Sequence, residues 1–219
     1  MSTVLVTGAN RGIGLELCRQ LARRGDNVIA TCRQSNTELK ATGAEIHEGV
    51  EVADEASVLA LAHALQGRRI DVLVNCAGIL SRESLDDLDI DRIRDQFEIN
   101  AIAPLRITAA LRDCLGQGSK VIIITSRMGS IEDNTSGSYY GYRMSKAAVN
   151  IAARSLAYDL ADQGVSVFVL HPGLVATGMT GHRGIPVEEA AADLVERIDT
   201  LGPEETGTFW HAKGDRLPW

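Results

Sequence analysis

A chain of 219 residues carrying a formal charge of −7, with hydrophobic residues at 45%, has the composition of an ordinary globular protein. The acidic balance and the lack of clustered Lys/Arg exclude a nucleic-acid partner, and no apolar run is long enough for a membrane span. One domain over residues 1–219, burying roughly 70% of its extended surface, is the expectation.

The first strand is expected over residues 3–7, running into Gly8-Ala9-Asn10-Arg11-Gly12-Ile13-Gly14 and a helix over 12–24. Glycines lack a Cβ, so such a turn lets backbone N–H groups approach a ligand, and the helix points its positive end at the same spot. Strand, glycine turn and helix together read as a seat for a dinucleotide pyrophosphate; the alternative is a bland tight turn. No Gly-Lys-Ser/Thr follows, which excludes a P-loop. Leu17 and Leu21 recur on one helix face with Ile13.

The second strand, 27–32, ends in Thr31-Cys32-Arg33, with no acid to bind a ribose diol. Arg33 and Arg11 instead form a pair of cations suited to a 2′-phosphate, so NADP(H) is preferred and NAD(H) is the lesser expectation. The alternative is that both arginines are solvated surface groups. A short helix over 35–42, a third strand over 46–50 and a helix over about 55–65, N-capped by Asp54, come next. The fourth strand, 71–74, ends in Asn75-Cys76-Ala77-Gly78, where small residues leave room for a flat ligand.

After an acidic loop over 82–89, a long helix is expected from about 91 to 115, distorted where Asn100 breaks the apolar pattern and Pro104 removes an N–H. The most apolar strand, 121–124, gives way to Ser126, a polar loop over 131–138, and a helix opening at Tyr139-Tyr140-Gly141-Tyr142 and running to about 161. A sixth strand over 165–170 is closed by His171-Pro172-Gly173, with His171 expected to bond backbone. A short Gly-rich segment over 174–186 is expected to be mobile, before a helix over 187–201 and a last strand over 207–211. Short apolar strands alternating with amphipathic helices indicate an α/β fold, a parallel sheet covered on both faces.

The irregular clusters at Gly8, Arg33, Asn75, Ser126 and His171 all fall where strands end, the edge on which such sheets bind ligands. Tyr142 and Lys146, four apart on a helix, share a face. A phenol is a poor base at neutral pH; a nearby ammonium is expected to lower its pKa, and its neutral form can donate a proton. With Ser126 to hold an oxygen, the set suits a carbonyl or alcohol substrate and a hydride-carrying nicotinamide. A Tyr–Lys pair at this spacing can also be a mere surface pair. The cysteines Cys18, Cys32, Cys76 and Cys114 show no C-x-x-C spacing and read as buried thiols of a reducing, cytoplasmic compartment. The histidines have no metal-ligand spacing, so no metal is expected.

In the order and spacing of Thr7–Gly14, Asn75-Cys76-Ala77-Gly78, Asn100, Ser126, Tyr142-x-x-x-Lys146 and Pro172-Gly173 with Thr177, the chain resembles the short-chain dehydrogenase/reductases over nearly its whole length. Within them it is similar to the small carbonyl-reductase-like members of the sniffer and C-factor type, through Ser126–Ile131 and Tyr142–Ala148. The resemblance implies a Rossmann-like, doubly wound, mostly parallel seven-stranded sheet flanked by helices on both faces. It implies Tyr142 as acid/base, Ser126 as oxygen-binding group, Lys146 on the nicotinamide ribose, and Asn100 placing a water that relays protons to Lys146. It further implies a cofactor site built from Gly8, Asn10, Arg11, Gly12, Ile13, Gly14, Arg33, Asn75, Ala77, Gly78, Tyr142, Lys146, Pro172, Gly173, Val175 and Thr177. Glu51, beside Val52, stands where the family usually has an Asp next to the adenine. The implied activity is reduction of aldehydes or ketones in either direction, the alternative being a nucleotide-binding regulatory or signalling protein. A homo-oligomer, dimer or tetramer, is expected from the helices at 91–115 and 142–161.

Overall fold

The computed structural model describes residues 1–219. Its centre is a parallel sheet of seven strands: β1 (Thr3–Thr7), β2 (Asn27–Cys32), β3 (Glu45–Glu48), β4 (Val72–Asn75), β5 (Lys120–Ile124), β6 (Ser166–His171) and β7 (Thr208–His211), ordered β3-β2-β1-β4-β5-β6-β7. Every pairing is parallel. The expected Rossmann-like sheet is therefore present, parallel throughout.

Strand side chains alternate between faces, and each face has its own core. Leu5, Leu73, Val121, Ile123, Val167 and Val169 point to one side, among 27 buried apolar residues. There they meet α3 (Glu55–Ala64), α5 (Ala103–Ala110) and α6 (Tyr140–Asp159). Val4, Val6, Val74, Ile122, Phe168 and Leu170 point the other way, among 20, against α1 (Gly12–Arg24) and α7 (Val187–Thr200). Residues buried on both faces are why the strands read as continuous apolar runs. No helix is long and apolar enough to cross a membrane.

The long helix expected over 91–115 is interrupted. It runs as α4 (Ile90–Phe97), a π-helical turn over Glu98–Ile102, and α5, with a short 3-10 turn over Arg112–Cys114 instead of a helical end. Pro104 has no N–H to give the Asn100 carbonyl, so the α-helical ladder cannot pass through this point. The bonding shifts to a wider step, the Ala103 N–H reaching the Glu98 carbonyl. Beyond Leu111 the Cys114 carbonyl accepts the Ile70 N–H at 2.8 Å, which draws the chain out of the helix toward β5. Asp54 caps α3 as expected, accepting from Ala56 and Ser57 N–H groups.

The segment over 174–186, expected to be mobile, is closed on itself. Val175 and Ile185 bridge in parallel, with Ala176 N–H on the Ile185 carbonyl and Ile185 N–H on the Leu174 carbonyl, both at 2.9 Å. Thr177 and Thr180 add reciprocal bonds around the turn at 178–180.

Where β1 stands between β2 and β4 the sheet order reverses, and the chains leaving β1 and β4 pass to opposite faces and open a crevice. Thr7 holds that rim: its buried hydroxyl accepts the Cys76 and Ala77 N–H groups at 3.0 and 3.1 Å. Opposite, a Cβ on Gly8 would lie 2.8 Å from the Ala77 Cα, so the two strand ends meet backbone to backbone. Replacing Thr7 by the isosteric Val strands two N–H groups and is expected to cost about 2 kcal/mol, measurable by urea denaturation; an unchanged midpoint would discount the tie.

Candidate active site

The crevice is a cleft of about 740 Å³ along the carboxyl ends of the strands. At one end lie Gly8, Asn10, Arg11, Gly12, Ile13 and Gly14, with Arg33, Glu51 and Val52 beside them. Ala77 and Gly78 line it after β4, Ser126 after β5 with Tyr142 and Lys146 on α6, and Pro172, Gly173, Val175 and Thr177 after β6. Two of the expected residues are absent from its lining. Asn75 is 3% exposed and turns its amide to the Thr108 hydroxyl at 3.4 Å, behind the strand end. Asn100 is 1% exposed within the π turn.

Contact between α6 and the turn after β5 brings the polar trio together. A Cβ on Gly129 would lie 2.7 Å from the Lys146 carbonyl carbon, so only glycine lets the helix backbone sit this close. Thr125 donates to the Asn150 amide oxygen at 2.8 Å, a second tie between the same elements. From this seat Lys146 Nζ donates to the Ile124 carbonyl at 2.9 Å and lies 5.8 Å from the Tyr142 ring centre. Ser126 accepts the Met128 N–H at 3.1 Å, and its hydroxyl lies beside the phenol of Tyr142.

All three side chains are buried, which decides their protonation more than their mutual attraction does. Desolvation pushes the Tyr142 phenol up to about 12, the Ser126 hydroxyl working weakly in the other direction. The expected lowering by Lys146 is not found. Burial disfavours the ammonium itself, bringing Lys146 down to about 8, with the Cys76 thiol the opposing influence. Both groups are held toward their neutral forms.

Asn100 acts at one remove from the cleft. Its amide nitrogen donates to the Ile79 carbonyl at 2.9 Å and the Ser145 hydroxyl at 3.1 Å, and its oxygen accepts the Ile79 N–H at 2.9 Å. Ser145 in turn donates to the Tyr142 carbonyl at 2.9 Å. The amide thus joins the π turn, the loop after β4 and the helix of Tyr142. His171 does not make the expected backbone bond: its Nδ1 is buried without a partner, and the ring packs edge-on against His211 at 5.1 Å. Burial pushes its pKa down to about 3. At the other end of the cleft, Arg33 pairs with Glu51 at 3.4 Å. The cysteines are free, Cys76 being half-buried at the cleft and the others buried.

Sequence reasoning missed Ile79, Leu80, Met128 and Met179, which line the cleft with Leu174, and the buried Glu83–Gln96 pair. The spacing of Gln96 and Asn100, one helical turn apart, was the available signal.

The glycine end fits a dinucleotide. No side chain caps the N-terminus of α1, its first turn holds no acid, and a Cβ on Gly12 would press on Thr177 at 3.3 Å across the cleft. A parallel sheet with such a crevice, and a Ser, Tyr and Lys at its reacting end, defines a nucleotide-dependent oxidoreductase class. The family model of the short chain dehydrogenases matches residues 2–186, and the chain belongs to that family. It is 46% identical, over the full length of both chains, to the 1-hydroxy-2-glutathionyl-2-methyl-3-butene dehydrogenase of Rhodococcus sp. (strain AD45). It is 42% identical to the C-signal protein of Myxococcus xanthus, over 68% of this chain and 93% of that one. The NADPH-bound carbonyl reductase from chicken fatty liver superposes with a TM-score of 0.92 at 29% identity, covering 100% of this chain and 99% of the other.

The buried lysine gives a direct check. In the cofactor-free protein an NMR titration of Lys146 is expected to centre near 8, against an ordinary value of 10.5. Because the folded pKa is the lower one, the unfolded chain binds more protons between those limits, so this group makes stability rise as pH climbs from 8 to 10.5. A midpoint near 10.5 would refute the burial argument.

Proposed function

We propose that the protein is an NADP(H)-dependent oxidoreductase that interconverts alcohols and aldehydes or ketones. The observation that carries this is the meeting of Ser126, Tyr142 and Lys146 in the same cleft that the glycine turn lines. The bound nicotinamide supplies or accepts the hydride. The substrate oxygen sits between the Ser126 hydroxyl and the Tyr142 phenol; Ser126 donates a hydrogen bond to it. In reduction Tyr142 gives up its proton to that oxygen, and in oxidation the phenolate takes it back. Lys146 holds the cofactor ribose and supports the phenolate. Asn100 fixes the helix register behind both, and the roles of Asn75, Pro172, Gly173, Val175 and Thr177 are to shape the nicotinamide seat.

Arg11 and Arg33 are the groups for a 2′-phosphate, and the NADPH-bound carbonyl reductase supports this choice. Glu51 is the counterweight, since its carboxylate already faces Arg33. The cleft wall of Ile79, Leu80, Met128, Leu174 and Met179 suits an apolar carbon skeleton next to the reacting oxygen. The Rhodococcus relative, whose name is that of a dehydrogenase of a glutathionyl alcohol, extends the substrate candidates to alcohols bearing a thioether.

A signalling role is the second reading, favoured by the likeness to the C-signal protein. Exposed Ile102, Leu105, Ile151 and Tyr158 on α5, α6 and the π turn support a homo-oligomer. The free thiols suit a reducing compartment such as the cytoplasm.

Turnover is tested by nicotinamide absorbance on a panel of carbonyls and alcohols, including a glutathionyl alcohol. Tyr142→Phe is expected to lose on the order of 10³-fold in kcat while cofactor affinity holds; full turnover in that variant removes the mechanism, and binding without any turnover in the native chain favours the signalling reading. Arg33→Ala is expected to weaken NADPH roughly ten-fold more than NADH, and Glu51→Gln to shift the ratio of dissociation constants the opposite way. Ratios that stay flat in both variants overturn the assignment of the phosphate site.

A further inference from the structure

The loop after β4 is joined to the long helix by two rungs. Asn100 on Ile79 is the inner one. One turn earlier Gln96 forms the outer, its Oε1 accepting the Ser81 N–H at 3.1 Å and its Nε2 donating to Glu83 Oε1 at 3.0 Å. Glu83 is 2% exposed and Gln96 0%. The same carboxylate accepts the Ser81 hydroxyl on Oε1 and the Gly141 N–H on Oε2, the latter at 3.2 Å. The Glu83 main-chain carbonyl takes the Tyr139 N–H at 2.8 Å. A carboxylate removed from water is tolerated only when its lone pairs are met. Every neighbour here donates.

The helix α6 needs this help. Tyr139, at its N-cap, makes no side-chain cap and sits in the left-handed region at φ 58°, and the first turn holds no acid. Its orphan N–H groups and positive end are therefore met by Glu83, brought from 58 residues away in sequence. The capped residue, Gly141, immediately precedes Tyr142. It also leaves room for the rung, since a Cβ there would lie 2.2 Å from Gln96 Nε2.

We propose that Glu83 is a positioning residue: it fixes the first turn of α6, and through it the direction of the Tyr142 phenol against the Ile79–Leu80 wall. Its effect on turnover rests on the oxidoreductase reading above; its effect on the helix does not. An acceptor-only group is required. A Gln in its place brings an NH₂ that must face the donors Gln96 Nε2, Ser81 or Gly141.

The test uses Glu83→Gln and Gly141→Ala in the full chain, which disturb the rung from its two sides. Amide hydrogen exchange of the cofactor-free protein is expected to speed up roughly ten-fold at residues 139–143, with the C-terminal half of α6 and the sheet unchanged. The NADPH dissociation constant, read by fluorescence, is expected to hold within about three-fold, while kcat falls roughly 10–100-fold and KM changes little. Native exchange and native kcat in Glu83→Gln overturn the proposal. So does loss of protection throughout the chain, or a fall in cofactor affinity equal to that in kcat, since either marks general scaffold support. If the native chain turns over no substrate, the oxidoreductase reading falls. Exchange at 139–143 then still decides whether Glu83 orders the turn: faster there supports it, unchanged overturns it.

Discussion

The site depends on one backbone contact, the seating of α6 on the turn that ends β5. Because Gly129 presents no side chain to the Lys146 main chain, the helix lies against the strand end instead of standing a side chain's width away. The Lys146 ammonium then reaches the Ile124 carbonyl, and the Tyr142 phenol meets Ser126. Asn150 holds the two elements in register from the same helix, through Thr125 and the Gly129 carbonyl. A methyl group at 129 would strike the Lys146 main chain and Cβ and so push α6 off the strand end.

This seat places groups where stability alone would not put them. Lys146 is 5% exposed, with a single neutral carbonyl as its hydrogen-bond partner, and Tyr142 is 8% exposed. Burial drives both toward neutrality, the phenol up to about 12 and the amine down to about 8. A neutral phenol is the form that can give a proton to a substrate oxygen. The reverse step needs a phenolate, which the same burial opposes, with the Ser126 hydroxyl the one group that works weakly the other way. Local rules of burial are broken at these two residues, the pattern expected where a fold carries a function.

The sheet was legible because strands buried on both faces are nearly pure apolar runs, and because each run ends in a cluster with no periodicity. Asn100 with Pro104 announced a distortion of the long helix, since one offers the backbone a competing amide and the other withdraws a donor. What misled was of another kind. The glycines at 178, 181 and 184 carried no sign that Val175 and Ile185 pair across them. The His171 ring finds His211 instead of backbone, and the Tyr142 pKa follows the depth of its pocket, not its neighbour four residues on. Glu83 lay in a stretch that reads as a solvated acidic loop, and its partners come from two separate helices. Such residues are defined by three-dimensional closure, which one-dimensional spacing does not carry.

Magnitudes decide between the two roles open to Arg33. Its pairing with Glu51 spans 3.4 Å between side chains that are 69% and 37% exposed. Pairs this wet contribute about 0–1 kcal/mol and are screened further by salt. A 2′-phosphate offers up to two negative charges and strong acceptor oxygens to the guanidinium, with Arg11 exposed on the glycine turn as a second donor. Charge-assisted bonds of that type are worth about 1.5–3 kcal/mol each. A 2′-phosphate placed at this end would on these magnitudes outcompete Glu51 for Arg33, with Glu51 lowering the margin. In this respect Glu51 differs from an acid at the end of β2 itself, which would face the ribose directly and turn the balance toward the unphosphorylated cofactor.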